Sequence, residues 1–181
     1  MARTYELKKR AERMLETRRR IVDAAVELHT SLGPARTSLS AVAERAGVQR
    51  NTLYAHFPDR RALFRACSAD WAARHPAPDL RASAGLTETL MALYAWYEEV
   101  EHDLALIRRD MEADELVRES LADGERDLLE LRDTLARDGG RRRRAAIGHA
   151  LRFETWRSLV RGEELSRAEA VRAMVRLAET V

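Results

Sequence analysis

A short segment of the chain, residues 37–57, combines helical apolar spacing with many hydrogen-bonding side chains. In TSLSAVAERAGVQRNTLYAHF the pattern predicts a first helix, a tight turn at Gly47 and a second helix over 49–56. Gly47 supplies the backbone freedom that a sharp turn needs. Leu53 and Phe57 lie on the side of the second helix that faces the core, so the polar side chains fall on the opposite side.

An outward helix face of this kind fits the major groove of DNA, which is wide enough to admit a helix. Arg pairs with guanine, Gln or Asn pairs with adenine, and a small residue allows close approach or meets a thymine methyl. The residues predicted to face bases are Gln49, Arg50, Asn51 and Ala55. Hydroxyl, imidazole and other basic side chains suit phosphates, which position a protein without specifying sequence. The residues predicted to contact phosphates are Thr37, Ser38, Ser40, Thr52, Tyr54, His56 and Arg60.

Charge is distributed unevenly along the chain. Residues 1–65 contain 14 Lys+Arg and 7 Asp+Glu, a net charge of +7, whereas residues 66–181 contain 18 and 23, a net charge of −5. A polyanionic partner for the N-terminal third fits this asymmetry. A basic terminus that is merely solvated fits it equally well, so charge alone does not decide between the two.

The elements around this segment predict an all-α chain. Hydrophobic residues make up 45% of the 181 residues, while Gly and Pro number only 8 and 4, which disfavours a β fold with many turns. Two prolines in RHPAPDLRASAG (74–85) indicate a connection between domains. We predict a basic N-terminal arm or helix extension at 1–16, a three-helix helix-turn-helix DNA-binding domain at 17–73, and a helical domain at 85–181.

The sequence lacks the features that are typical of several classes of protein. It has neither an apolar run of ~18 residues nor the apolar region of a secretory signal, so we expect a cytoplasmic protein that does not bind membranes. Its single cysteine cannot form an internal disulfide, and its Cys and His residues lack zinc spacing. A phosphate loop and a nucleophile elbow are also missing. We therefore expect no cofactor or metal and no enzymatic activity.

The segment TSLSAVAERAGVQRNTLYAHFPDRRALF (37–64) resembles the DNA-binding signature of the TetR family of transcriptional regulators, and RRRIVDAAVELHTSLG (18–33) resembles the family's first helix. The remainder matches in its helical architecture, and TWRSLVRGEELSRAEAVRAMVRL (155–177) resembles the closing helix pair of many members. The resemblance implies a homodimer that binds a palindromic operator in double-stranded DNA and represses transcription. It also implies a small-molecule effector that binds the C-terminal domain and releases the DNA.

Two further groups of residues follow from this architecture. Dimerisation has a physical reason as well, because two-fold pairing doubles the base pairs that one recognition helix can contact. The predicted dimer interface is Ile147, Leu151, Leu159, Val171, Met174, Val175 and Ala178, although intrachain core is an alternative for some of them. The predicted effector pocket is Trp96, Tyr97, Phe153 and Trp156, for which core packing is again the alternative.

Other interpretations stay open at this point. A sequence-independent, architectural DNA-binding protein would carry a similar basic N-terminal third, and a protein-interaction module would carry a similar helix pair. Arg141 to Arg144 fit either an anion contact or an exposed loop. Cys67 fits either a redox switch or a small core residue.

Overall fold

The computed structural model describes residues 2–137 and 139–181, with side chains from Tyr5 onward. The helices are α1 (Ala2–Ser31), α2 (Leu39–Arg45), α3 (Arg50–His56), α4 (Arg60–Arg74), α5 (Leu86–Asp110), α6 (Glu115–Leu135), α7 (Arg141–Ala150), α8 (Phe153–Arg157) and α9 (Arg167–Thr180). Over these described ranges the chain contains no strand, so the predicted all-α fold is confirmed. Among the same residues no helix has the length and apolar character required to cross a bilayer.

The described chain divides into two compact units. The first unit contains the residues up to His75 together with His102–Ser120, and the second contains Pro76–Glu101 and Leu121–Val181. Helices α5 and α6 therefore contribute residues to both units. The functional boundaries taken from sequence, 17–73 and 85–181, stay a prediction, because compactness alone does not assign function.

The first unit has a core that follows from the apolar stripes of α1 to α4. Ile21, Val42, Leu53 and Phe57 are each at most 1% exposed, and they pack with Leu63 in one hydrophobic cluster. Burying a side chain of this size stabilises the fold by about 1.5–3 kcal/mol. Packing of these faces therefore holds the short helices α2 and α3, which are too short to be stable alone.

Local signals in the sequence set the ends of the short helices. The Ser38 hydroxyl accepts a hydrogen bond from the Ala41 N–H (3.1 Å) at the start of α2, and the Asp59 carboxylate does the same for Ala62 (2.7 Å) at the start of α4. Gly47 has a φ of 63°, the left-handed conformation that the turn after α2 requires. These caps fix where each helix begins.

The N-terminal residues extend α1. Residues 2–16 are helical and continuous with the part of α1 that packs in the core, and every described side chain from Tyr5 to Glu16 is exposed. Of the two possibilities left open for 1–16, the helix extension is the one that the described residues adopt.

The second unit has a core built from α5 and α7 to α9. The Tyr94 and Tyr97 hydroxyls each donate a 2.8 Å hydrogen bond to a backbone carbonyl, those of Ala150 and Leu151. These two carbonyls lie at the C-terminal end of α7. The chain then starts a separate helix, α8, at Phe153. Arg141 to Arg144 form the first turn of α7 and are not a loop.

Candidate nucleic-acid interface

Helix α3 presents a polar face and buries an apolar one. Gln49 is its N-cap, and Gln49, Arg50, Asn51 and Ala55 are all exposed. On the other side, Leu53 is 1% exposed and fixes the helix to the core. All four predicted base-contacting residues are thus accessible to solvent in α3 or at its N-cap, and their contact with bases stays a prediction.

Contacts from α1 hold the turn that leads into α3. The Arg20 guanidinium donates hydrogen bonds to the carbonyls of Ala46 and Gly47, where α2 ends. The Arg18 guanidinium lies 4.3 Å from the centre of the Phe57 ring, a cation–π contact at the end of α3. A positive charge also interacts favourably with a helix C-terminus. These two arginines therefore position α3 rather than contribute free charge to its surface.

Five of the predicted phosphate contacts are accessible around α2 and α3. Ser38, Ser40 and Tyr54 are exposed, with Tyr54 at 41%, and Thr52 and His56 are half-buried. The Ser38 oxygen already accepts the hydrogen bond that caps α2, but its own O–H can still donate to a phosphate.

The other two predicted phosphate contacts are used inside the protein. Thr37 is 8% exposed, and its hydroxyl donates a 2.9 Å hydrogen bond to the Gly33 carbonyl. Arg60 forms an ion pair with Asp114 and donates to the Pro34 carbonyl (3.1 Å). Both polar groups therefore have partners within the protein, although the Arg60 side chain keeps 38% of its surface exposed, and their assignment to phosphates stays a prediction.

The acidic residues that hold this region were missed from sequence. In DMEADE (110–115) the sequence pattern favoured a solvated face, but Asp110 and Asp114 are only 5% and 8% exposed. Burial by itself raises the pKa of the Asp114 carboxyl. Hydrogen bonds from Arg60 and from the backbone outweigh that cost and leave its pKa below the usual value. The sequence does place one Asp at each side of the break between α5 and α6. It does not reveal the partner of Asp114, because Arg60 lies 54 positions away in the chain.

The four predicted pocket residues form an aromatic cluster (Trp96, Tyr97, Phe153 and Trp156). Tyr97 has its ring centre 5.7 Å from Trp96, 5.4 Å from Phe153 and 5.8 Å from Trp156. Tyr97, Phe153 and Trp156 are at most 2% exposed. The rings pack on one another at distances typical of aromatic pairs. A cavity of about 510 Å³ lies elsewhere in the second unit, lined by Thr134, Leu135, Arg137, Gly139 and Arg143.

Most of the predicted dimer interface is core of the single chain. Ile147, Leu151, Val171 and Ala178 are at most 2% exposed, and Met174 is 9% exposed. Such residues have little surface left for a second protomer, so their burial favours the intrachain-core alternative, while the dimer interface itself stays a prediction. Leu159 and Val175 keep partial exposure. Helical periodicity showed that all seven are apolar positions, but not which side of each helix another helix of the same chain covers.

Cys67 lies in the core of the first unit. Its Sγ is 3.3 Å from the His29 Nδ1, and burial raises the pKa of the thiol to about 12. Because the thiolate is the reactive form, this environment favours the small core residue over the redox switch.

Comparison with known proteins agrees with this geometry. Residues 21–67, which contain α2, α3 and the core part of α1, match the family described as "Bacterial regulatory proteins, tetR family". The HTH-type transcriptional regulator AcrR of Shigella flexneri is 45% identical over 49 residues. That match spans 27% of this chain and only 23% of AcrR, so it concerns a short segment of each protein.

Solved structures extend the likeness to the fold of nearly the whole chain. A TetR-like transcriptional regulator from Rhodococcus sp. RHA1 superposes with a TM-score of 0.59 at 21% identity, covering 90% of this chain and 93% of that protein. FadR from Bacillus subtilis, solved in complex with stearoyl-CoA, gives 0.54 at 21% identity, covering 88% and 95%. At 21% identity, these two likenesses concern the fold alone. Residues 21–67 are therefore similar to the TetR family of bacterial regulatory proteins, and the likeness over the rest of the chain is one of fold.

Proposed function

We propose that this protein is a sequence-specific DNA-binding transcriptional regulator whose α3 enters the major groove. The observation that carries the proposal is the exposure of Gln49, Arg50, Asn51 and Ala55 in α3 and at its N-cap, while Leu53 is buried and anchors the helix to the core. These side-chain types match the donors and acceptors of base edges. The match of residues 21–67 to a family of DNA-binding regulators supports the same role.

We assign two kinds of DNA contact on this surface. Arg50 pairs with guanine and Gln49 or Asn51 with adenine, while Ala55 lets the helix approach the bases. Ser38, Ser40, Thr52, Tyr54 and His56 contact phosphates on either side of the groove. In this proposal Thr37 and Arg60 stabilise the segment that precedes α2, because each donates a hydrogen bond to a backbone carbonyl of that segment.

The active form in this proposal is a homodimer on a palindromic operator. One seven-residue helix contacts few base pairs, and two-fold pairing doubles them. We place the pairing surface on accessible parts of α9 and of the helical turn Ser158–Gly162 that follows α8, including Leu159, Val175 and Leu177, the last 39% exposed. Sedimentation of the full chain tests this, because a monomer at micromolar concentration would contradict it.

Regulation in this proposal is repression that a small molecule relieves. FadR from Bacillus subtilis, whose fold is similar, was solved in complex with stearoyl-CoA, which supports a small-molecule effector for this protein. The aromatic cluster supplies apolar surface of the kind that lines such sites. Because the rings pack on one another, an effector here displaces at least one of them.

The first experiment is capture of fragmented genomic DNA by the purified protein at physiological salt, followed by sequencing. Enrichment of a few fragments that share a palindrome is the expected result. Uniform recovery would favour the alternative, a sequence-independent architectural protein. Failure to recover DNA even at low salt would contradict both.

The variants Arg50→Ala and Tyr54→Phe then separate the two kinds of contact. Arg50→Ala should lower affinity for a captured duplex by about 1–3 kcal/mol and leave a scrambled duplex nearly unchanged, because it removes a base contact. Tyr54→Phe should weaken both duplexes alike, because its phenol contacts phosphate. Fluorescence anisotropy at fixed salt measures both affinities. Equal losses on the two duplexes for Arg50→Ala would refute the base assignment.

A further inference from the structure

The segment that joins α1 to α2, residues 32–37, is held by side chains far away in the sequence. The Asp110 carboxylate accepts a 2.9 Å hydrogen bond from the Ala35 N–H, and the Arg109 guanidinium donates a 2.9 Å hydrogen bond to the Leu32 carbonyl. The Nε of Arg109 also donates to Asp110 (2.8 Å), which fixes the carboxylate in place. The C-terminal end of α5 thereby holds this segment at Leu32 and at Ala35.

A further contact with the same segment involves Asp114, the residue that precedes α6. Asp114 pairs with Arg60, and Arg60 also donates to the Pro34 carbonyl (3.1 Å). The Asp114 carboxylate accepts a further hydrogen bond from the Leu116 N–H (3.1 Å), at the first turn of α6. We call Asp110 and Asp114, with the arginines that they bind, the acidic clamp.

The backbone of the segment is shaped to fit the acidic clamp. Gly33 has a φ of 95°, a conformation that other residues rarely adopt, and a Cβ there would overlap Asp110 and Arg109. The segment then forms a 3₁₀ turn, Pro34–Arg36, and leads through Thr37 into the N-cap of α2. The position of this 3₁₀ turn in space therefore sets the position of the N-terminus of α2. Helix α2 in turn leads to the turn at Gly47 and to α3.

We propose that Asp110 and Asp114 are positioning residues for DNA recognition: by holding residues 32–37 they fix α2 and α3 in the geometry that fits an operator. This inference rests on the proposed function of α3.

The acidic clamp has an electrostatic signature that tests it. Removing a negative charge from a DNA-binding protein ordinarily strengthens its attraction to phosphates. A positioning role requires the reverse for Asp110→Asn and Asp114→Asn. We expect each variant to bind a duplex recovered by genomic capture at least tenfold more weakly, with less than a twofold change on a scrambled duplex. A merely structural defect would lower the active fraction and weaken both duplexes equally.

Matched controls come from the same stretch of chain. Glu112 and Glu115 are exposed, so Glu112→Gln and Glu115→Gln remove the same charge without touching residues 32–37 and should bind both duplexes as well as wild type or better. Circular dichroism checks that every variant is folded at the assay temperature. If an Asp variant does not fold, Arg60→Lys tests the acidic clamp instead. It keeps the charge but loses the forked geometry, so it should weaken the captured duplex alone.

The outcomes separate this inference from the proposed function. If the wild-type chain selects no sequence, the proposed function fails and this inference fails with it. If wild type selects a sequence but Asp110→Asn and Asp114→Asn bind it as tightly as the Glu controls do, only the positioning role is overturned. Arg60→Lys with full affinity would also overturn it, because a lysine can replace an arginine at a phosphate but not in this pair.

Discussion

Helix α3 and the aromatic cluster both contain side chains of types that bind ligands in other proteins. The two regions differ in whether those side chains are exposed to solvent. On α3 the polar groups of Gln49, Arg50 and Asn51 face solvent. In the aromatic cluster Tyr97 and Trp156 are at most 2% exposed, and the Tyr97 hydroxyl donates a hydrogen bond to the backbone carbonyl of Leu151. The difference teaches that residue type alone does not identify a binding surface. The surface is where such groups remain accessible after the protein has satisfied its own needs.

The largest expected effect tests whether the aromatic cluster is core. Trp156→Ala should lower the free energy of unfolding by about 3–5 kcal/mol, because it leaves a large cavity. Trp156→Phe should cost much less, since the described residues offer the buried indole N–H no acceptor and Phe keeps most of the ring packing. Urea unfolding followed by circular dichroism measures both variants. A small loss for Trp156→Ala would mean that the cluster is a loosely packed pocket.

A pH effect of intermediate size should arise from the first unit. Burial, with Arg60 nearby, lowers the pKa of His29 to about 4, whereas an unfolded His has a pKa of about 6.5. The unfolded state therefore binds more protons between these values, so stability falls as pH drops through this window, by about 2 kcal/mol from pH 7 to pH 5. Thermal unfolding should show this loss, and His29→Gln should reduce it.

A direct measurement checks the cause. The His29 ring should titrate near pH 4 when its proton resonances are followed by NMR. A midpoint near 6.5 would show that the ring is open to solvent.

The smallest expected effect separates capping from DNA contact at Ser38. Ser38→Ala should cost about 1 kcal/mol of stability, because it removes the cap of α2. Ser38→Asp should keep the cap and the stability, yet weaken DNA binding, because the carboxylate repels phosphate. Thermal unfolding and fluorescence anisotropy on a scrambled duplex measure the two effects.

Ser166 provides the matched control in the second unit. Its hydroxyl caps α9 in a capping box with Glu169, so Ser166→Ala should cost a similar amount of stability. It should leave DNA affinity unchanged. A loss of DNA affinity for Ser166→Ala equal to that for Ser38→Asp would contradict the assignment of Ser38 to the DNA surface.

Local signals made the first unit predictable in large part. Ser38 and Asp59 cap their helices, Gly47 turns the chain, and Leu53 and Phe57 face inward as the helical spacing required. Each of these effects depends on residues within a few positions of one another. The exposed surface of α3 followed, because a helix with one buried side leaves the other side to solvent.

Long-range pairing was not predictable in the same way. Arg60 carries a charge that suits phosphate, yet it pairs with Asp114, and Thr37 turns its hydroxyl inward to Gly33. Ile147 and Leu151 are apolar at helical spacing, which is equally true of a core and of a dimer interface. Only the packing of α7 against other helices of the chain places them in the core.

The amino-acid sequence by itself determined the all-α fold, the position of the helix-turn-helix and the side of α3 that faces outward, because helix periodicity, caps and glycine turns act over short stretches. The tertiary structure decided which charged and apolar groups stay available to a partner. Burial and ion pairing join residues such as Arg60 and Asp114, which lie 54 positions apart, and no local pattern records that contact.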